Sequence, residues 1–318
     1  KEYVVHIAPF HYVEDGRITK FCDLLDGIVL AKKVSNGKIK FFKSTKHELI
    51  EVEFFKTIRQ IFSDKSVPIQ IHDFHFFIFV IIFKIFGFKN IIIDHHENFL
   101  RKSYFLKPIV YMIYLVSKLG DSHFFATAGI KKQLSKFYAG EIIRNIPSRK
   151  IFNNKIIHKD ANRKDLSMVY IGHLSKVRQI EKIESFIDYL YSQKKDFSLV
   201  IAGPIKDHVA KNSINRLQKY SSFKYYSWAD DVLKQKILNQ SNFGFSLHDG
   251  KKNENLKNSE PTKVWEYLCT NTFVIMSEVE NLNEIYSPEQ TKNIFFWDVD
   301  NFSNKNVLGW MEKKISSN

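Results

Sequence analysis

Residues 168–203, MVYIGHLSKVRQIEKIESFIDYLYSQKKDFSLVIAG, contain the pattern that decides the fold. An apolar run that ends at Gly172 precedes a helix-type segment at 180–191, and a second apolar run ends at Gly203. A strand, a crossover helix and a second strand form a βαβ unit, in which the two strands are parallel. The stretch therefore predicts a parallel sheet that is covered by helices on both faces.

The same alternation of strand-type and helix-type segments extends in both directions along the chain. Upstream, strands are predicted at 3–8, 27–31, 68–72, 90–94 and 123–127, and helices at 48–62, 74–88 and 99–119. Downstream, strands are predicted at 224–227, 243–247, 272–276 and 293–296, and helices at 208–220, 231–239, 262–269 and 302–314. Apolar residues that recur every three or four positions support the helices.

A polar segment rich in Lys and Asn interrupts this pattern after Pro147. Polar clusters between two patterned halves are typical of loops and linkers. We therefore predict a Rossmann-like domain at 1–147, a linker at 148–165 and a second Rossmann-like domain at 166–318. A ligand cleft is expected between the domains, because open α/β sheets bind ligands at the carboxyl ends of their strands. The last helix is expected to pack back on the first domain.

Composition places the chain among globular proteins and favours anionic partners. Of its 318 residues, 44% are hydrophobic and 26% are charged, which excludes a disordered chain. Cys22 and Cys269 are the only cysteines and no signal-peptide pattern opens the chain, so we expect a cytoplasmic location. The net charge of +14 favours phosphorylated small molecules or anionic lipid. No nucleic-acid module is recognisable, so nucleic acid is not an expected partner.

Two apolar segments bear on membrane contact. Segment 74–88 is shorter than the ~20 residues of a spanning helix and contains His75 and Lys84, so a buried helix is predicted there. Segment 99–119 mixes basic residues with aromatic and aliphatic ones. This mixture suits a helix that lies weakly on the inner membrane surface, or an amphipathic helix that packs on a sheet.

The most informative motif is SEPTKVWEYL at 259–268. Pro261 suits the first turn of a helix, and the free N–H groups that follow from Thr262 onward form an anion site. Lys263 adds a positive charge. Glu266 lies on the same helix, where its carboxylate could accept hydrogen bonds from both hydroxyls of a ribose. The alternative is an ordinary helix start in which the glutamate stabilises the helix dipole.

Residues after three other strands are candidates for the same donor site. Gly172 and Gly203 each end a strand, and a glycine there lets a ligand approach the backbone. Arg178 can hold a diphosphate through two hydrogen bonds. Trp228 and Ala229 follow another strand, where their backbone could contact a nucleotide base or could simply precede a capped helix.

Polar residues in the N-terminal half mark the expected acceptor side. Asp94-His95-His96-Glu97 follows one strand, and His72 and His75 lie at the end of another. Histidine and carboxylate side chains are common zinc ligands. Neither cluster has the spacing of a known zinc motif, so no metal site is predicted. We assign His96 to a contact with a sugar hydroxyl. The acceptor-side candidates are His11, Asp15, Arg17 and Glu97.

Together, these motifs resemble those of glycosyltransferase family 4, whose members have the GT-B fold of two Rossmann-like domains. The segment from Pro261 to Tyr267 resembles the family's P-x-K-x-x-E-Y signature. The segment from Asp94 to Glu97 resembles its D-x-H-E element. Gly172 and Arg178 resemble the glycine and basic residue that hold the donor diphosphate.

The resemblance implies a retaining transferase that uses a nucleoside-diphosphate sugar, with UDP as the expected nucleotide and no obligatory metal or cofactor. It implies a glycan or lipid-linked acceptor in surface polysaccharide synthesis, and it assigns catalytic roles to His96, Arg178 and Lys263. Asn258 and His173 stand where the family has a glutamate and an arginine. These departures also suit a non-catalytic GT-B subunit that activates a partner transferase. A GT-B sugar-nucleotide epimerase is a further alternative.

Overall fold

A computed structural model describes most of the chain in two compact units, residues 1–145 and 146–318. The described residues are 4–9, 28–35, 38–44, 49–52, 65–72, 74–96, 107–146, 165–249, 256, 260–279, 282–298 and 303–317. The predicted linker at 148–165 lies outside these ranges except for its last residue, so the predicted domain limits stay a prediction.

The first unit contains an eight-stranded sheet. Its strands are β1 (Val5–Pro9), β2 (Ile28–Ser35), β3 (Lys38–Ser44), β4 (Leu49–Val52), β5 (Ile69–His72), β6 (Ile91–His95), β7 (Ser122–Phe125) and β8 (Glu141–Ile142). Their spatial order is β4-β3-β2-β1-β5-β6-β7-β8. The strands from β2 to β8 in this order are parallel, as expected for a Rossmann-like unit.

One edge of this sheet corrects two predictions from the sequence. β3 pairs antiparallel with β2 and with β4, so the sheet is mixed and not purely parallel. The helix predicted at 48–62 is wrong at its start, because Leu49–Val52 forms β4. Helical spacing over four residues is also compatible with an extended chain, and pairing with the β3 backbone decides between the two. Residues 53–64 lie outside the described part.

The described helices of the first unit cover one face of the sheet. They are a 3₁₀ turn (Phe74–Phe76), α1 (Phe79–Ile85), α2 (Lys107–Ser117) and α3 (Ala128–Leu134). Aliphatic side chains of β1, β5 and β6 pack with Phe83, Tyr114 and Leu134 in a single core. The helix predicted at 74–88 is confirmed only over the residues of α1. It was predicted to be buried, but Ile85, the last residue of α1, is exposed. No helix in the described ranges is long and apolar enough to cross a membrane.

The second unit contains a six-stranded sheet in which every pair of neighbours is parallel. Its strands are β9 (Leu166–Ile171), β10 (Phe197–Ala202), β11 (Phe223–Tyr226), β12 (Phe243–Ser246), β13 (Phe273–Met276) and β14 (Ile294–Phe296). Their order is β11-β10-β9-β12-β13-β14. The strand order reverses between β9 and β12, which is the position where ligands bind in such sheets.

The described helices of the second unit include the five predicted from the sequence and two short ones between β13 and β14 that were not predicted. They are α4 (Ile180–Ser192), α5 (His208–Leu217), α6 (Asp231–Asn239), α7 (Thr262–Cys269), α8 (Leu282–Ile285), α9 (Pro288–Thr291) and α10 (Asn304–Ser316). That the last helix also packs on the first domain stays a prediction. Its buried side chains Val307, Leu308 and Met311 belong to the core of its own unit, between α10 and the β9–β12 sheet.

Candidate functional site

Two glycines bring the ends of β9 and β10 together in the second unit. Gly172 and Gly203 have φ angles of 127° and 146°, a backbone conformation that favours glycine. A Cβ atom on Gly203 would lie 2.0 Å from the carbonyl oxygen of Gly172. A Cβ atom on Gly172 would lie 3.0 Å from Nζ of Lys263. The backbone of Gly203 therefore packs directly on the backbone of Gly172, and the side chain of Lys263 packs on Gly172.

Lys263 lies in the first turn of α7, directly against these strand ends. Its Nζ is 3.9 Å from the centroid of the Tyr170 ring, at a distance typical of a cation–π contact. Burial lowers the pKa of Lys263 well below its usual value, the charge of Arg178 lowers it further, and Glu266 opposes the shift. The ammonium group is thus destabilised in the free protein, and an anion beside it would restore its charge.

Arg178 ends a 3₁₀ turn (Lys176–Arg178) that follows β9. Its backbone N–H donates to the Ser175 carbonyl at 3.0 Å, and the N–H of Asp249 donates to the Val177 carbonyl at 2.9 Å. The second contact joins this turn to the loop after β12. The charge of Arg178 contributes to the lowered pKa of Lys263, so the two cations share one electrostatic environment near the switch in strand order.

His248 is a site residue that the sequence analysis missed. It lies two residues beyond β12, and only 3% of its surface is exposed. Neither ring nitrogen has a partner at hydrogen-bond distance and angle among the described residues. Burial, then the charges of Arg178 and Lys263, lower the pKa of His248 to about 4, while Asp249 and, least of all, the Ser246 backbone oppose the shift. The ring is therefore neutral at pH 7. The only signal in the sequence was a polar residue at a strand end.

Glu266 is buried and engaged with a residue of the neighbouring helix. Its Oε1 accepts a hydrogen bond from Nζ of Lys234, on α6, at 3.0 Å. This ion pair links α6 to α7 on the same side of the sheet. The structure thus gives Glu266 a protein partner, and its role in ribose binding stays a prediction.

Tyr267, the last residue of the signature motif, has a structural role. Its hydroxyl accepts from the N–H of Ile171 and donates to the Phe245 carbonyl, both at 3.2 Å. Its ring packs on Gly244, where a Cβ atom would come within 2.5 Å of it. The side chain therefore holds the second half of α7 against β9 and β12.

The other donor-site candidates lie at the remaining strand end. Trp228 follows β11 and is 65% exposed, and Ala229 is partly buried beside it. Asp230 caps α6 by accepting from the N–H of Leu233 at 2.8 Å. The alternative of an ordinary helix start is therefore realised here, and a contact of these residues with a nucleotide base stays a prediction. Thr262 is the first residue of α7 and is partly buried.

A second group of polar side chains lies in the first unit, at the carboxyl ends of β5 and β6. Oδ2 of Asp94 lies 3.0 Å from Nδ1 of His72 and 2.7 Å from Nε2 of His96. On the far side of His72, Nε2 lies 3.0 Å from Nδ1 of His6, a residue of β1. Burial, and then His72, lower the pKa of His6 to about 3, while Asp94 opposes the shift. Distant parts of the sequence thus form one hydrogen-bonded group.

The neighbouring histidine, His95, faces the opposite side of the sheet. Its Nε2 lies 3.1 Å from Nδ1 of His123; the His123 ring stacks with Tyr138 in the apolar core, and the His95 ring is tilted against the same tyrosine. The acceptor-side candidates that remain lie outside the described residues, as does Asn258. These candidates are His11, Asp15, Arg17 and Glu97.

Comparisons with known proteins bear on the fold. No protein-family model matches the chain, and no curated protein sequence does either. Among solved structures, the trehalose-phosphate synthase (UDP-forming) of Burkholderia vietnamiensis is 12% identical, with a TM-score of 0.57 over 89% of this chain and 86% of that one. The E. coli trehalose-6-phosphate structure with bound UDP-2-fluoro glucose is also 12% identical, with a TM-score of 0.61 over 99% and 95%.

A plant enzyme has a similar structure. The catalytic domain of starch synthase IV from Arabidopsis thaliana, bound to ADP and acarbose, is 11% identical, with a TM-score of 0.64 over 99% of this chain and 92% of that one. Structural similarity at such low sequence identity supports the fold alone. Membership of glycosyltransferase family 4 therefore stays a prediction. These likenesses, together with the two Rossmann-like sheets, show that the chain has the GT-B fold.

Proposed function

We propose that the chain is a glycosyltransferase that binds a nucleoside-diphosphate sugar at the carboxyl ends of β9, β10 and β12. The observation that carries this proposal is the position of Lys263, whose Nζ lies beside Gly172 at the strand ends and whose pKa is lowered by burial and by the charge of Arg178. A polyanion bound near these two cations would relieve their repulsion. The start of α7 adds free N–H groups and the positive end of its dipole.

The same groups would stabilise the transition state of sugar transfer. When the glycosidic bond to the diphosphate breaks, negative charge accumulates on the leaving phosphate oxygen. Fixed cations at that point lower the barrier because they need no reorganisation during the reaction. Arg178 and Lys263 supply this charge in our proposal. The neutral ring of His248 lies close to both and can offer one hydrogen bond to the donor without adding charge.

Retention of configuration, UDP as the nucleotide and the sugar contact by His96 rest on the resemblance to family 4. UDP-2-fluoro glucose and ADP are the nucleotides bound in two of the similar structures, so both UDP and ADP are candidates to test. No obligatory metal is proposed for the diphosphate, because side chains and helix N–H groups supply the positive charge there.

Binding of UDP tests the donor site directly. We expect UDP or ADP, but not uridine or adenosine at the same concentration, to raise the unfolding temperature. A ligand at a hundredfold excess over its dissociation constant adds about 2.7 kcal/mol to the free energy of unfolding. Arg178→Gln should remove most of this gain, whereas Lys211→Met, at an exposed position on α5, should not. The absence of a shift with any nucleoside diphosphate would show that the proposed donor site is wrong.

A glycan or lipid-linked acceptor in surface polysaccharide synthesis is the proposed partner, and one surface suits a lipid environment. The helix α2 exposes large apolar side chains at three- and four-residue spacing, namely Ile109, Tyr111, Met112 and Leu115. Exposed lysines, Lys107 and Lys118, lie at its two ends. An apolar helix face flanked by cations is typical of proteins that bind anionic membrane surfaces.

Vesicle binding tests this surface. The chain should co-sediment with vesicles that contain phosphatidylglycerol and not with neutral ones. Lys107→Glu with Met112→Ser should abolish co-sedimentation, since each cation near an anionic surface contributes about 1 kcal/mol and burial of a large apolar side chain about 1.5–3 kcal/mol. Lys211→Glu is the matched charge control. If the double variant binds like the wild type, α2 does not contact the membrane.

A second candidate function is a non-catalytic subunit that activates a partner transferase. The observations in its favour are Asn258 and His173, which replace the glutamate and arginine of family 4. Both functions predict UDP binding, so turnover separates them. Release of UDP from a UDP-sugar by the purified chain with a glycan acceptor supports the enzyme. Binding without turnover, together with stimulation of a partner enzyme, supports the subunit.

A further inference from the structure

We propose that His72, Asp94 and His96 form a binding site for one divalent transition-metal ion, for which Zn²⁺ is the best-fitting ion. Among the described residues, these three form the group whose possible ligand atoms lie close enough together to hold a metal ion. The three atoms all lie within 4.8 Å of one another. The site is in the first unit, and it shares His96 with the proposed sugar contact but none of its residues with the groups proposed to bind the diphosphate. It goes beyond the proposed function, which needs no metal ion.

The three ligand atoms lie near the spacing of ligands around tetrahedral zinc, with two of the three separations shorter than it. Bonds of 2.0–2.2 Å in tetrahedral geometry place neighbouring ligand atoms about 3.3 Å apart. Nδ1 of His72 lies 3.0 Å from Oδ2 of Asp94 and 3.5 Å from Nε2 of His96. The third separation, between His96 and Asp94, is 2.7 Å, so this pair has to open by roughly 0.6 Å to bind the ion.

The local electrostatics favour a cation at this point. Asp94 and His72 are fully buried, and His96 is only partly exposed. A buried carboxylate is costly unless opposite charge compensates it. Hydrogen bonds from the two imidazoles supply part of that compensation, and a divalent ion supplies more. Two imidazole nitrogens and one carboxylate oxygen are also the ligand set of known zinc sites, in which water or substrate takes the fourth position.

His6 completes the site from outside the ligand group. A histidine that binds metal through Nδ1 carries its proton on Nε2 and donates it to an outer partner. Nε2 of His72 lies 3.0 Å from Nδ1 of the fully buried His6, which can accept this proton. Binding of the ion to Nδ1 would move the His72 proton from Nδ1 to Nε2, where the contact with His6 can hold it. We assign His6 the role of a positioning residue.

The ligand types also predict which ions are excluded. Mg²⁺ and Ca²⁺ prefer oxygen ligands, and two of the three atoms here are imidazole nitrogens. Zn²⁺, Co²⁺ and Ni²⁺ should therefore bind, and a large excess of Mg²⁺ should not displace them.

Metal titration of the full, untagged chain tests the site. After removal of bound metal with a chelator and dialysis, Zn²⁺ is titrated against a coloured competitor, and Co²⁺ binding is followed by visible absorption. We expect one equivalent of Zn²⁺ and an absorption band typical of tetrahedral Co²⁺. Asp94→Asn and His72→Ala should each abolish the Co²⁺ band. His6→Ala should weaken Zn²⁺ binding about 10- to 100-fold, the range observed for outer partners of ligands.

A control variant and two possible results that would overturn the metal site complete the experiment. His123→Ala removes a buried histidine from the opposite face and should leave stoichiometry and affinity unchanged. Circular dichroism of each metal-free variant separates loss of ligands from loss of fold. A wild-type chain that binds no stoichiometric Zn²⁺, or ligand variants that keep wild-type affinity, would overturn the proposal and leave a group joined by hydrogen bonds alone. Because UDP binding is not measured, failure here leaves the proposed function intact.

Discussion

Replacement of Lys263 by methionine should weaken donor binding without destabilising the free protein. The ammonium group lies beside the charge of Arg178, and its burial lowers the pKa of Lys263 well below its usual value. The free protein therefore pays an electrostatic penalty at this position, and an unbranched apolar side chain of similar length removes that penalty. A bound diphosphate reverses the balance, because the ammonium then has an anionic partner.

The size of the effect on binding follows from one charged hydrogen bond. A hydrogen bond to a charged group contributes about 1.5–3 kcal/mol, and every 1.4 kcal/mol corresponds to a factor of ten in affinity. Lys263→Met should therefore weaken UDP binding about 10- to 100-fold. The unfolding temperature of the ligand-free variant should be equal to or higher than that of the wild type, which is the opposite of the usual effect of a substitution in a packed region.

The pH dependence has opposite signs for stability and for binding. An unfolded lysine has a pKa of about 10.4, and the folded pKa of Lys263 is lower. The unfolded state binds more protons between the two values, so stability rises with pH across this window. UDP affinity should fall with rising pH across the lowered pKa, because the ammonium loses its proton. Lys263→Met should flatten both profiles.

Calorimetric titration with UDP and thermal unfolding without ligand, each from neutral pH to about pH 10, measure these quantities. Lys211→Met, on the exposed surface of α5, is the control for loss of one positive charge. Wild-type UDP affinity in Lys263→Met, or an unfolding temperature several degrees below the wild type, would refute the reasoning. The first result would remove the side chain from the donor site, and the second would mean that its charge is satisfied within the protein.

Two further predictions concern neighbouring residues. Glu266→Ala should weaken UDP binding at least tenfold if the carboxylate binds the ribose, since two charged hydrogen bonds are lost; Lys234→Met breaks the same ion pair from the other side and should leave affinity near the wild-type value. Equal affinity losses in both variants would assign Glu266 a structural role only. Gly203→Ala should lower the unfolding temperature by several degrees, because its Cβ would lie 2.0 Å from a backbone carbonyl. Gly309→Ala, within α10 and with nothing nearby, should instead stabilise by up to about 1 kcal/mol; a stable Gly203→Ala protein would disprove the close strand contact.

The sequence by itself determined most of the second unit. Its strands are nearly continuous apolar runs and its helices have apolar residues at helical spacing, so both periods are visible locally. Asp230 and Pro261 mark the starts of α6 and α7, and both helices end where the pattern predicts. Gly172 and Gly203 were recognisable as candidates because a glycine at the end of a buried strand permits a close approach to the backbone.

The two strands at one edge of the first sheet, β3 and β4, could not be predicted from the local pattern of residues. The Lys-rich segment that forms β3 was not predicted as a strand, and Leu49–Val52 was predicted as part of a helix. Antiparallel pairing with β2 stabilises the first, and pairing with β3 stabilises the second. These hydrogen bonds connect backbone groups, so the side chains of a single segment carry little information about them.

Only the tertiary structure decided which polar residues act together. His6, His72 and Asp94 are far apart in the sequence, yet parallel pairing of β1, β5 and β6 places His72 within hydrogen-bond distance of both His6 and Asp94. Lys234 and Glu266 are separated by 32 positions and meet because α6 and α7 pack on the same side of their sheet. The local sequence determines which element each residue occupies and at which end. Strand order and register, set by burial of the whole sheet, determine which of these ends become neighbours.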